Sequence, residues 1–145
     1  MNERDFLSLA HLLAARAEEA AWRSAISRGY YATFHVARLL LEDLGFAVPR
    51  ADRAHGYLWL RLASCGDASV QDAGAKLNRL RRDRNQADYD LAAAFTQAFA
   101  QGRVRTAEQI MQALDVAAIE PTRTQITDAM KIYEHDVLHD VTWRP

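Results

Sequence analysis

The sequence predicts an all-α protein: an antiparallel up-and-down helical bundle of about five helices with one extra helix at the C-terminal end. Three observations lead there. Apolar residues recur every three or four positions along most of the chain, and no strand-like alternation interrupts them. The 145 residues include only 6 glycines and 3 prolines, so long stretches run without a helix breaker. The breaks are short, and short connections make successive helices antiparallel neighbours.

The first helix is expected over residues 3–20, with Phe6, Leu9, Leu13, Ala17 and Ala20 as its buried stripe. The second runs from Trp22 to Leu44 and stops at Gly45, a natural C-cap. Its stripe is Ile26, Tyr30, Phe34, Ala37, Leu41 and Leu44. Pro49 then marks a loop, and a third helix over 52–64 turns Leu58, Trp59 and Leu62 inward. The fourth covers 69–88, with Val70, Ala73, Leu77, Leu80 and Ala87 inside. The fifth covers 93–118 with a break near Gly102, and buries Phe95, Phe99, Ile110, Met111 and Leu114. Pro121 suits the first turn of a sixth helix, whose stripe is Ile126, Met130, Tyr133 and Val137. Residues 1–120 are thus expected to form the bundle, and 121–145 a helical extension packed on the same domain.

A formal charge of −1 excludes a globally basic nucleic-acid binder. Positive charge is carried almost wholly by arginine, the only lysines being Lys76 and Lys131. Cys65 is the single cysteine, which rules out an internal disulfide and a thiolate zinc site. The N-terminal stretch does not read as a signal peptide, and no apolar run approaches the ~20 residues that span a bilayer. A cytoplasmic protein is expected.

Two polar patterns stand out. On the second helix Ser24, Ser27, Arg28, Tyr31, His35 and Arg38 share one face, opposite the apolar stripe. They form either a seam against another helix or partner, or a groove for a phosphate-bearing ligand. On the fourth helix Arg84 and Asp88 fall on the inward side with Leu77 and Leu80, while Arg79, Arg82, Asp83 and Gln86 face out. An inward arginine needs a counter-charge, and Asp88 stands at i+4. The pair reads either as a packing clasp or as a device that holds Arg84 rigid toward a phosphate. Asn78, Asn85 and Tyr89 flank it. His135 and His139 share the spacing of a metal-binding helix face, but no complete ligand set accompanies them, and neither a metal nor another cofactor is expected.

Residues 25–45, AISRGYYATFHVARLLLEDLG, resemble the second helix of HEPN domains of the small stand-alone bacterial and archaeal subgroup. Residues 84–90, RNQADYD, resemble that subgroup's second motif. The separation of the two stretches fits, as does His55 between them. The resemblance covers about residues 3–118. It implies a helical bundle that forms a homodimer and is often the toxin half of a toxin–antitoxin pair, beside a minimal nucleotidyltransferase. It also implies a metal-independent endoribonuclease that uses an arginine, an adjacent polar residue and a histidine four to six residues later, with two such motifs meeting across the dimer.

Arg84 and Asn85 match the start of that pattern, and Tyr89 stands where the histidine would be. A phenol titrates near pH ~10 and is a poor general base at neutral pH. Two functional readings follow. In the first, the protein binds and cleaves RNA: Arg84 stabilises the scissile phosphate, Asn85 positions the RNA, and Tyr89 or His35 handles the proton. Arg28, Tyr31, His35 and Arg38 then bind substrate. In the second, a non-catalytic module binds a nucleotide, a nucleic acid or a nucleotidyltransferase partner. A plain dimeric scaffold is the third reading.

Overall fold

The computed structural model describes the chain from Met1 to Pro145. It is an all-α bundle of six helices: α1 (Arg4–Ala14), α2 (Glu19–Leu44), α3 (Arg53–Leu62), α4 (Ala68–Tyr89), α5 (Gln97–Ala117) and α6 (Thr122–Tyr133). A π-helical turn, Glu134–Leu138, follows α6 and leads into a short tail. The long α2 is the axis of the bundle, touching α1, α3, α4 and α5. None of the helices is long and apolar enough to cross a membrane.

The predicted stripes of α2 and α4 are buried in full. Gly45 caps α2 as expected, at φ 108°. The amide of Phe46 reaches back to the Leu41 carbonyl at 2.9 Å and that of Gly45 to Glu42 at 3.1 Å, a Schellman motif. Asp67 caps α4 by accepting from the Val70 amide at 3.1 Å.

Several boundaries and faces differ from the sequence reading. The expected first helix divides after Ala14, and α2 starts at Glu19. Local propensity favours continuation, but tertiary contacts override it. Gln97 Nε2 donates to the carbonyls of Ala14 and Arg16, and Trp22 Nε1 donates to Arg16, so the carbonyls at this end find partners without another helical turn. The buried residues of α1 are Ala10 and Ala14, packed with Ala25 and Val104, whereas Leu9, Ala17 and Ala20 are exposed. Small side chains let α1 approach α2 closely, which turns Leu9 outward. α5 begins after Thr96, whose Oγ1 accepts from the Phe99 amide at 3.1 Å, and Gly102 does not interrupt it. Phe99 lies at the surface under the Arg103 guanidinium. Glu134, one turn beyond Met130, continues the buried stripe, and Val137 is exposed because the π-helical turn that starts at Glu134 shifts the register of the residues after it.

Residues 121–145 are fastened to the bundle in three ways. Ile126 and Met130 join the main core. Glu134, fully buried, accepts from Arg61 Nε at 2.8 Å, from the Thr142 amide at 2.9 Å and from the Trp143 amide at 3.1 Å. The tail then crosses the end of α2: Trp143 Nε1 donates to the Leu44 carbonyl at 2.9 Å, and the Arg144 amide to the Gly45 carbonyl at 2.9 Å. A Cβ on Gly45 would stand 2.7 Å from Trp143 Nε1, so this crossing needs glycine for space as well as for φ.

Candidate functional site

The pitch of α4 sets Arg81, Arg84, Asn85 and Tyr89 on one face, since they follow at intervals of three, one and four residues. The start of α3 lies opposite and contributes Asp52 and His55. These six line a polar pocket of about 300 Å³. Ala51, just before it, adopts a left-handed backbone at φ 59°, a costly conformation for an L residue, where the chain turns into α3.

Arg84 is the deepest of the charged groups, at 7 % exposure. Its guanidinium carbon lies 5.4 Å from the centre of the Tyr30 ring and 5.1 Å from that of Tyr31, so two aromatic faces of α2 stand against it. Its Nη1 is 3.6 Å from Asp88 Oδ2, an attraction without a hydrogen bond. The Arg84 guanidinium donates no hydrogen bond within the protein. Its Nε is enclosed and unpartnered, while the terminal nitrogens keep access to the pocket. Asp88 in turn accepts from Ser27 Oγ at 3.2 Å.

The end of α4 is held by a residue of α2 that the sequence did not single out. Arg23 donates from Nη1 to the carbonyls of Ala87 at 3.0 Å and Asp90 at 2.8 Å, and from Nη2 to that of Ala93. It thereby satisfies carbonyls that a helix end leaves open. Glu19 accepts from the Phe95 amide at 2.9 Å and completes the staple. Tyr89 emerges from this fixed end at 77 % exposure.

His55 enters the site beside the arginines, and its Nδ1 is hydrogen-bonded to the Tyr30 hydroxyl. Burial, followed by the charges of Arg84 and Arg81, pushes its imidazole below the ordinary value, with Asp52 opposing. Burial pushes the Tyr30 hydroxyl far above the ordinary phenol value. At neutral pH both groups are therefore uncharged.

The other sequence candidates divide. Tyr31 backs Arg84 as described. Arg28 lies 5.5 Å from the Phe6 ring centre and 5.5 Å from that of Tyr31. His35 stacks on Phe6 at 5.4 Å, and Arg38 pairs with Glu42 at 2.9 Å. Within the polar row of α2, Arg28 and His35 pack against Phe6 of α1, Ser27 and Tyr31 face α4, and His35 and Arg38 line a different pocket from Arg84. Burial, then Arg38, lowers the His35 imidazole, while Glu3 opposes the shift. His135 bonds its neighbour Asp136 at 2.7 Å, and His139 lies past the helix end at φ 52°, so the two imidazoles share no regular helical face.

Sequence reasoning placed Arg84, Asn85 and Tyr89 together, and the fold brings them to one pocket. It missed Asp52 and Arg81. Arg81 was within reach, being one turn before Arg84; Asp52 was not, because its approach depends on the α3–α4 packing. His55 drew notice only through the resemblance.

A family model for the HEPN domain matches residues 4–117, which contain the whole pocket. No curated protein and no solved structure matches the chain.

Proposed function

The chain belongs to the HEPN family, and on that premise we propose that it is a toxin-type RNA-binding protein whose pocket holds an RNA phosphate and cuts the chain there without a metal. One observation carries the reading: a nearly buried guanidinium with five N–H donors and no hydrogen bond of its own. Arginine in that state is costly, and its planar fork matches a phosphate oxyanion. Arg81 adds a second positive charge, and Asn85 adds amide hydrogen-bonding groups. In the cut the 2′-oxygen attacks phosphorus to form a 2′,3′-cyclic phosphate and the P–O5′ bond breaks. Arg84 stabilises the charge that develops on phosphorus, Asn85 positions the RNA, Tyr89 holds the 2′-hydroxyl at the pocket rim, and water takes up the 2′-proton and protonates the leaving 5′-oxygen.

The protein works in this reading as a cytoplasmic homodimer, with α2 and α4 of both copies lining one cleft and a minimal nucleotidyltransferase as antitoxin. The exposed side chains of Tyr89 and Leu91 at the end of α4 supply apolar surface for such contacts.

A second reading, binding without cleavage, is favoured by Tyr89 in place of the motif histidine. Incubation of a single-stranded RNA with the protein in the presence of a chelator separates the two. The first reading expects cleavage that survives the chelator and falls ~10²–10³-fold in Arg84→Ala, the cost of losing one preorganised charge donor. Binding without cleavage by the parent selects the second. Neither binding nor cleavage rejects both.

A further inference from the structure

We propose that His55 serves this pocket as a neutral hydrogen-bond donor, giving its Nε2–H to a phosphate oxygen, and that Tyr30 fixes the tautomer that makes it one. The inference rests on the phosphate-binding reading above and adds a recognition residue from outside the α4 motif.

The Tyr30 side chain is buried in the core, and its hydroxyl bonds to His55 Nδ1 alone. The two rings stack at 5.6 Å, and Phe34 confines the imidazole from another side at 4.8 Å. A buried hydroxyl needs an acceptor for its proton, and Nδ1 is the one within reach. A proton on Nδ1 would leave the phenol with nothing to donate to. The stable arrangement is therefore O–H···Nδ1 with the ring proton on Nε2. That nitrogen makes no hydrogen bond within the protein and is not sealed off from the pocket that His55 lines. The burial and positive neighbours that lower the imidazole keep it uncharged at neutral pH. His55 thus adds a third donor next to Arg81 and Arg84 without adding a third positive charge. In this tautomer Nε2 has no lone pair to accept a proton, so His55 holds the phosphate and does not act as general base.

The test is side-chain ¹H–¹⁵N NMR at pH 7.5 on the full chain, with His55 assigned through His55→Gln and the Arg84 Nε–H followed in the same sample. The probes are inorganic phosphate and a 2′-O-methyl RNA oligonucleotide, which cannot be cut through its 2′-oxygen. The expected result is an Nε2–H tautomer in the free protein, which becomes mixed in Tyr30→Phe. RNA should shift both the His55 Nε2–H and the Arg84 Nε–H. His55→Ala should weaken RNA binding on the order of tenfold, as for loss of a hydrogen bond to a charged group. His55→Gln, which restores an N–H donor without basicity, should keep most of the affinity.

A response to inorganic phosphate but not to RNA upholds the donor role and rejects RNA as the ligand. A shift at Arg84 with none at His55 overturns the inference and leaves the pocket reading intact. An Nδ1–H tautomer or an imidazolium also overturns it. No shift at either residue rejects the phosphate reading and this inference with it.

Discussion

Arg84 Nη1 stands 3.6 Å from Asp88 Oδ2, within Coulombic reach and beyond a hydrogen bond. Asp88 makes its closer contact with Ser27 Oγ at 3.2 Å. The carboxylate therefore steadies the guanidinium and leaves its N–H groups uncommitted. An arginine buried purely for packing is ordinarily saturated with hydrogen bonds, as Arg61 is far more nearly. Arg61 pairs with Glu134 at 2.8 Å and donates to the Tyr57 carbonyl at 3.3 Å.

The contrast predicts opposite stability effects. Arg84→Met keeps the length and apolar stem but removes a poorly satisfied charge. It should leave urea stability unchanged or raise it by about 1 kcal/mol, while weakening RNA binding at least ~10-fold. A loss of ~3 kcal/mol or more would show that the Arg84–Asp88 contact is a structural clasp.

Glu134→Ala should destabilise the protein by about 3–5 kcal/mol, because Arg61 would be left as a buried, unpaired charge and the tail would lose its anchor. Thermal melting checks this, and a change under ~1 kcal/mol would mean that the tail is held by Trp143 and the core residues of α6 alone.

Stability should also fall in acid in two stages. Burial, reinforced by nearby arginines, lowers His35 and His55 in the folded state. The unfolded chain then takes up their protons first, so the stability they contribute is complete above pH ~6.5 and lost as pH falls through their folded values. Burial acts to raise Glu134, but the hydrogen bonds from Thr142 and the pairing with Arg61 outweigh it and hold the carboxyl below its ordinary value. Its contribution persists above pH ~4.3 and is lost on further acidification. Urea midpoints measured from pH 7.5 to 3.5 should decline in both intervals, and His35→Gln should flatten the upper one. A midpoint independent of pH between 7.5 and 5 would contradict the histidine assignment.

Gly74→Ala should cost about 1–3 kcal/mol despite the better helix propensity of alanine. A Cβ there would lie 2.7 Å from the Ala63 amide nitrogen and 3.0 Å from Leu62, where α4 crosses the end of α3. The substitution would push apart the two helices that form the pocket, so a chemical-denaturation loss accompanied by weaker RNA binding is the expected pair of readings. Unchanged stability would mean that the α3–α4 crossing has slack.

The helices of the bundle were legible because their apolar periodicity is strong, and the stripes of α2 and α4 were read residue by residue. The division at Ala14 was not, because it depends on Gln97 and Trp22 arriving from other elements. Glu134 and Arg61 look like ordinary surface charges in a sequence, and only the folded tail makes them a buried pair. The same limit governs the pocket. Arg84, Asn85 and Tyr89 sit on one helix and declare their shared face, whereas Asp52 and His55 join them across a helix crossing that local spacing does not encode. Tyr30 reads as one more core aromatic until its hydroxyl is found against His55.

In the proposed function, Arg84 is kept buried and unbonded for an RNA phosphate. Fluorescence anisotropy with a labelled single-stranded RNA, comparing the parent with Arg84→Ala at fixed salt, tests it most directly. Kd should rise at least ~10-fold, as for loss of a charge-assisted hydrogen bond, with the variant's helical content and melting unchanged. Equal Kd values for parent and variant, both folded, would contradict it.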